Sequence, residues 1–460
     1  MHMLQKLTRY TSLLLLLSLF FSCQQKHSEK PVKDQPVTAP DWSYDDSIYE
    51  LNVRQFSKEG TFNAVNERVD ELKELGVDII WIMPIHPIGE KNRKGSLGSY
   101  YAVKDFKAIN PEFGTLEDFK KLVDTIHQND MHVILDWVAN HTAWDHIWTK
   151  SNPEFYTKDS TGNFTPPVED WSDVIDLNYD NQQMRAEMIE AMRFWVDEAD
   201  IDGYRCDVAG MVPLDFWKKV RTELDAIKPV FMLAEDEDPE IHEAFNMTYG
   251  WEFHHLMNDV AAGNKNANDI WAYLEKDRNR FPDVAFRMNF ITNHDENSWN
   301  GTIFERLGDG AKAFATLIFT MEGMPLIYSG QEVGMKKRLA FFERYPINWS
   351  DPGQYRSFYK KLTTLKSSYK ALQNGEKGSR MIPVGELRGE NLLAFTRKHD
   401  GKGIFAVINV SDEHVQRTFT ADSQSEGNYI NIITGEMVEY GQETTYTISL
   451  APWEYRLLSN

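Results

Sequence analysis

A chain of 460 residues is long enough for one large domain and a smaller one, and 42% hydrophobic residues supply a core for both. Against 70 Asp and Glu stand 49 Lys and Arg, a formal net charge of −21. That excludes the broad basic face a nucleic-acid partner would call for and suits a soluble body acting on something uncharged.

The first residues stand apart. Lys6 and Arg9 precede an apolar run, Leu13–Phe21, too short to span a membrane as a mature helix. The run ends in FFSC, with small Ser22 directly before Cys23. This resembles the lipobox of a bacterial lipoprotein of the Bacteroidetes type. The resemblance implies cleavage of residues 1–22 as signal peptide and lipidation of Cys23. It also implies a membrane contact through that anchor, on the periplasmic side of the outer membrane or on the cell surface. Residues 23–43 are polar and Pro-containing, and read as a flexible tether. Cys206 is the only other cysteine, so lipidation of Cys23 leaves no intramolecular disulfide.

From residue 48 short apolar runs alternate with longer amphipathic stretches. Strands are expected at 48–53, 77–83, 132–136, 203–207, 230–235, 245–249, 290–294 and 325–328, and helices at 64–75, 116–129, 183–198, 213–227 and 311–321. Eight strands alternating with helices predict a parallel (β/α)8 barrel over residues 44–376. Asp136 and Asp207 are a βα unit plus roughly 40 residues apart. The surplus, about 141–180, is polar and reads as a small excursion after the third strand, on the face where barrel active sites form. Beyond residue 377 the pattern alternates apolar and polar, with turns at DGKG and TGE, and predicts a C-terminal antiparallel β domain of sandwich type.

Several strands finish in ionisable residues: Asp136, Asp207, Glu235 and the NHD of 293–295. In a parallel barrel these ends share one rim. Alternation puts Arg205 and Asp207 on one face of their strand, toward the barrel mouth, and Tyr204 and Cys206 on the other, toward the helices. Carboxylates gathered in one pocket repel, so at least one should hold a proton. Glycosidic hydrolysis needs such a pair, one carboxylate ionised and one protonated. Arg205 is expected to keep Asp207 ionised, and the apolar run VFMLA before Glu235 to raise its pKa. Metal hydrolases also gather Asp and His on barrels, but neither a His-x-His pair nor HExxH occurs.

Over nearly all its mature length the chain resembles glycoside hydrolase family 13, the α-amylase family. The similar segments stand in the family's order: SYYAVKDFKAINPEFGT (99–115), DWVANH (136–141), VIDLN (174–178), GYRCD (203–207), LAE (233–235), ITNHD (291–295) and GMPLIYSGQE (323–332). The resemblance implies Asp207 as nucleophile, Glu235 as general acid/base and Asp295 as the third acid, holding sugar hydroxyls and stabilising the transition state. It implies Arg205 as the residue that orients the nucleophile, His141 and His294 as hydrogen-bonders of the sugar at the cleavage point, Tyr101 as the ring stacked on it, and Asp136 as an acid at the pocket floor. Asn140 and Asp176 match two ligand positions of members that bind structural Ca2+, and no organic cofactor is implied. The implied substrate is an α-glucan or maltooligosaccharide, cleaved at α-1,4 bonds with retention by an enzyme expected to be a monomer.

The match departs on the leaving-group side. Gly210 and Met211 stand where many α-amylases have Lys-His, and Glu237 where many have an aromatic. The rivals are a transglycosylase on the same scaffold and a non-catalytic glycan-binding lipoprotein. The intact set of acids opposes the second.

Overall fold

The computed structural model describes residues 35–460. The expected signal peptide, Cys23 and most of the expected tether lie outside the described residues. Eight parallel strands close into a barrel: β1 (Ile48–Leu51), β2 (Ile79–Ile82), β3 (His132–Trp137), β4 (Gly203–Cys206), β5 (Phe231–Ala234), β6 (Met247–Tyr249), β7 (Phe286–Asn289) and β8 (Met324–Tyr328). Each strand pairs with its neighbours in sequence, and β8 closes on β1.

The two faces of these strands feed separate cores. Ile48, Ile79, Ile134, Phe231, Leu233, Met247 and Met288 point inward and form one cluster. Tyr49, Ile80, Val133, Leu135, Tyr204, Cys206 and Met232 point outward into the helix layer. The alternation expected of a strand therefore holds, and Cys206 is a buried, free core thiol. On β4 the inward position below Arg205 is Gly203, whose φ is +151°. A Cβ there would lie 1.8 Å from the carbonyl oxygen of Phe231, so only glycine admits the neighbouring strand.

Three expectations are corrected. The seventh strand is Phe286–Asn289, and 290–294 is the loop that follows it. Arg287 hides the strand by breaking its apolar run. Its side chain points into the helix layer, where Glu237 (2.7 Å) and Asp277 (3.2 Å) pair with it. The helix expected at 64–75 is two, Phe62–Asn66 and Val69–Leu75. The tether does not extend to residue 43. Val37 donates its N–H to the His242 carbonyl, Asn246 donates to that of Thr38, and the Trp42 ring stacks on His132 at 3.8 Å. With Ala39 and Tyr44, this segment plugs the N-terminal end of the barrel.

The excursion after β3 contains a two-stranded antiparallel ladder, His141–Ala143 with Val174–Asp176. The C-terminal domain has a six-stranded sheet, including the hairpin Leu392–His399/Lys402–Asn409, and a second sheet of Val415–Thr420 with Thr445–Leu450. Its own core lies between them, around Phe405, Phe419 and Tyr440. Buried Arg397 donates to the carbonyls of Thr320 (3.1 Å) and Met321 (2.6 Å) and so ties this domain to the barrel.

Candidate active site

Because β3 and β4 pair with Asp136 level with Arg205, both side chains point inward side by side. Arg205 Nη1 donates to Asp136 (2.9 Å) and to Asp207 (3.1 Å), and its Nε donates to the Tyr249 hydroxyl (3.1 Å). Nη2 lies 2.9 Å from Glu235 but outside hydrogen-bonding alignment, so Glu235 feels the charge without the bond. The guanidinium is fully buried and lies over the rings of Trp81, Tyr101 and Tyr249. Asp136 also accepts from Trp81 Nε1 (3.1 Å) and the Tyr101 hydroxyl (3.0 Å), which makes it the floor that holds both arginine and aromatic in place.

The backbone just beyond β4 is strained. Val208 has φ +38° and ψ +47°, a left-handed conformation rare for a β-branched residue. Such a conformation costs about 1–3 kcal/mol and clusters at functional sites. Here it aims the Val208 N–H at Glu235 Oε2, 2.8 Å away. A short π-helical turn, Glu296–Asn300, begins directly after Asp295.

A cavity of about 310 Å³ opens over these groups. Asp207, Glu235 and Asp295 line it together with Tyr101, His141 and His294, so six residues expected from the sequence meet in one place. Arg205 and Asp136 lie beneath them. The two histidines differ in charge. Burial pushes His141 down to about 3, leaving a neutral ring. Burial also acts to lower His294, but Asp295 (3.3 Å) and Glu50 (2.5 Å) outweigh it and hold the ring at about 9.

The expected electrostatic division of the acids holds for Glu235 and is corrected for Asp207. Burial raises Asp207 well above the ordinary carboxylate range, with Arg205 opposing, and burial raises Glu235 in the same way. One guanidinium lies against Asp136, Asp207 and Glu235 together, and Asp207 and Glu235 share protons rather than titrating one by one.

Sequence reading missed several lining residues. Trp299, Phe341 and Phe342 form an aromatic wall, with Phe341 nearly parallel to Tyr101 at 6.0 Å and Trp299 5.4 Å beyond it. Trp299 comes from the π-helical turn and the two phenylalanines from a loop, where no period announces them. Trp171 of the excursion meets the His141 ring at 5.5 Å, and Lys94 reaches across to Asp173 at 3.1 Å. Glu50 was also missed, although alternation along IYEL puts it on the inward face.

On the leaving-group side, a Cβ on Gly210 would meet the Asp236 carboxylate at 2.8 Å. Asp236 is itself fixed by the N–H groups of Glu237 and Asp238, so a lysine at 210 would displace it. Met211 is 45% exposed. Glu237 is turned away from the cavity onto Arg287 and onto the N–H of Glu252.

Asn140 and Asp176 meet at the root of the excursion. Asp176 pairs with His141 in the ladder, and Leu177 donates its N–H to the Asn140 carbonyl (3.2 Å). Calcium takes six to eight oxygens. No group of three or more Asp, Glu, His or Cys side chains suited to a metal gathers among the described residues. The side chains here supply one carboxylate and one amide, so most of a calcium shell would have to come from carbonyls and water.

The model of the α-amylase catalytic domain matches residues 40–171 and 168–368, and that of the α-amylase C-terminal all-β domain matches 385–453. Among solved structures, a noncanonic maltogenic alpha-amylase, AmyB from Thermotoga neapolitana, is 31% identical with a TM-score of 0.82, covering 90% of this chain and 98% of that one. An alpha-amylase from Lactobacillus plantarum is 32% identical with a TM-score of 0.81, covering 90% and 99%. The alpha-amylase MalA of Haloarcula japonica is 28% identical over 82% of this chain, which spans only 57% of MalA. Both domains, their order and the acids gathered at the barrel mouth agree: the chain is a glycoside hydrolase belonging to the α-amylase family.

Proposed function

We propose that this enzyme cleaves α-1,4-glucosidic bonds of α-glucans or maltooligosaccharides with retention, by double displacement. The observation that carries the reading is the convergence of Asp207, Glu235 and Asp295 on one cavity, above an arginine hydrogen-bonded to Asp207.

The hydrogen bond from Arg205 favours the anion on Asp207 and fixes its direction. The two acids share protons in the free site; in the reacting complex Asp207, with the aligned bond, carries the charge, and Glu235, which has the arginine's charge without that bond, carries the proton for the leaving group. Asp207 attacks the anomeric carbon as Glu235 protonates the glycosidic oxygen, the bond to that oxygen breaks, and a glycosyl ester forms on Asp207. Glu235, now ionised, takes a proton from water, whose oxygen displaces Asp207 at the same carbon. Asp295 and the charged ring of His294 bind hydroxyls of the sugar whose ring becomes planar and cationic in each transition state. Tyr101 offers that sugar an aromatic face.

The aromatic wall offers further sugar faces, while the leaving-group side lacks the Lys-His grip. Short maltooligosaccharides therefore suit the site better than long starch chains. Product profiles on starch, pullulan, cyclodextrin and maltooligosaccharides test this reading. Maltose and glucose released from maltooligosaccharides support it, and cleavage confined to α-1,6 bonds overturns it. In concentrated maltotriose, products longer than the substrate would assign transfer in place of hydrolysis.

Two further expectations stand as proposals. Calcium at Asn140 and Asp176 would brace the excursion and take no part in the reaction, so a chelator should lower the melting temperature and leave folded-state chemistry intact. Lipidation at Cys23 would hold the enzyme on the outer membrane. Palmitate labelling that is lost in Cys23→Ser tests it.

A further inference from the structure

Glu50 is an acid with no assigned role, and it is 0% exposed. It comes from the middle of β1, the strand that closes the barrel against β8. A carboxylate there is expensive without partners. Its Oε1 sits 2.5 Å from His294 Nδ1 and accepts weakly from the His294 N–H at 3.4 Å, while its Oε2 is buried with no hydrogen-bond partner. The far nitrogen, Nε2, lies 2.8 Å from the Tyr101 hydroxyl and 3.3 Å from Asp295 Oδ2, at the cavity wall. An ionised carboxylate only accepts hydrogen bonds, so the contact with Glu50 puts a proton on Nδ1. The ring plane is fixed as well, by Trp81 edge-on and Tyr101 stacked.

We propose that Glu50 is a positioning residue for catalysis: from β1 it clamps Nδ1 of His294 and so aims the opposite N–H at the sugar hydroxyls beside Asp295. The inference rests on the proposed glycosidic chemistry only for what the sugar is, because the clamp itself is internal to the protein. It is the logic of a buried acid behind a working imidazole, which fixes tautomer and direction together. The groups that face this pair come from seven elements. Tyr101 follows β2, Asp136 is on β3, Arg205 is on β4, Glu235 follows β5, Tyr249 is on β6, Asp295 is the chain neighbour in the loop after β7, and Tyr328 is on β8. Arg205 opposes a charge on His294, whereas Asp295 and Glu50 favour it. With Glu50 removed, Asp295 and the more distant Glu235 would be left to support that charge against burial and Arg205.

The test is 15N-histidine NMR of the whole enzyme through a pH titration, alongside kinetics on a chromogenic maltooligosaccharide. In the wild type His294 should carry protons on both nitrogens at pH 7 and titrate near 9. In Glu50→Gln the midpoint should fall by at least about one unit and kcat/KM by about 10- to 100-fold, the loss expected for a hydrogen bond to a charged group. In a His294→Ala background, Glu50→Gln should change kcat/KM by less than about threefold, since Glu50 acts through that ring. A wild-type midpoint at or below about 6.5 overturns the proposal without any variant, so failure of E50Q to fold leaves it decided. An unmoved midpoint in folded E50Q, or losses that simply add in the double variant, overturns it too. Absence of any α-glucan turnover by the wild type would instead remove the glycosidic reading, and the NMR arm would still judge the clamp.

Discussion

Along the inward face of the barrel, β1 reads Ile48 then Glu50, β3 Ile134 then Asp136, β4 Gly203 then Arg205, and β5 Leu233 then Glu235. Two residues along each of these four, the lining changes from apolar side chain or bare backbone to ion. The N-terminal end is a dry plug of Ile, Phe, Met and Leu closed by Ala39, Trp42 and Tyr44. The C-terminal end holds Glu50, Asp136, Asp207, Glu235 and Asp295 around two cations, Arg205 and His294. The same backbone carries both, and they do opposite things to stability. Apolar burial stabilises by about 25 cal/mol per Å². Gathering buried carboxylates costs free energy that only close pairing offsets. The strained Val208 belongs to the costly end. Stability is made at one end of the strands and used at the other.

That contrast can be broken by substitution. Asp207→Asn should lower kcat on the order of 10⁴-fold or more, while raising resistance to urea at neutral pH. Burial holds the folded Asp207 carboxyl above its unfolded value, so its ionisation opposes folding above about pH 4. The stabilisation in D207N should therefore shrink as pH falls and vanish below about 4, where the carboxyl is protonated in both states. Glu235→Gln should cost about 10²- to 10⁴-fold on maltooligosaccharides and far less on a substrate whose leaving group needs no proton. At the other end, Trp42→Ala should lower unfolding free energy by about 2 kcal/mol, below the ~3–5 of a fully buried Trp, and leave kcat unchanged. The smallest effect is expected at the rim. Trp299→Ala removes an aromatic face worth about 0.5–1.5 kcal/mol, so KM should rise about 2- to 12-fold with kcat nearly constant. A large loss of kcat in W42A, or of stability in W299A, would contradict the division.

The sequence announced the barrel because strand ends carrying acids recur at the spacing of βα units, and it announced the C-terminal domain by the change of period after 377. It also pointed to Asp136, Arg205, Asp207 and Glu235, on strands or directly after them, and to His294 and Asp295 in the loop after β7. Three kinds of feature escaped it. A charged residue whose partners are distant, Arg287, disguised β7. Aromatics outside the strands and long helices that meet only in the fold, such as Phe341 and Trp299, carry no periodic signal. The sharing of Arg205 among three carboxylates depends on register between β3 and β4 and on the end of β5, which composition cannot supply. Glu50 was legible in principle, since its place in IYEL makes it inward, but one acid in a short strand does not declare what it touches.

The central claim is that Asp207 becomes covalently bonded to the sugar. Mass spectrometry of the enzyme quenched during reaction with a fluorinated α-glucosyl fluoride, followed by peptide mapping, reads this directly. The account predicts one added fluoroglucosyl mass on the peptide that contains Asp207, absent in Asp207→Asn. An adduct on Glu235, on Asp295 or on any other carboxylate of the cavity would contradict it.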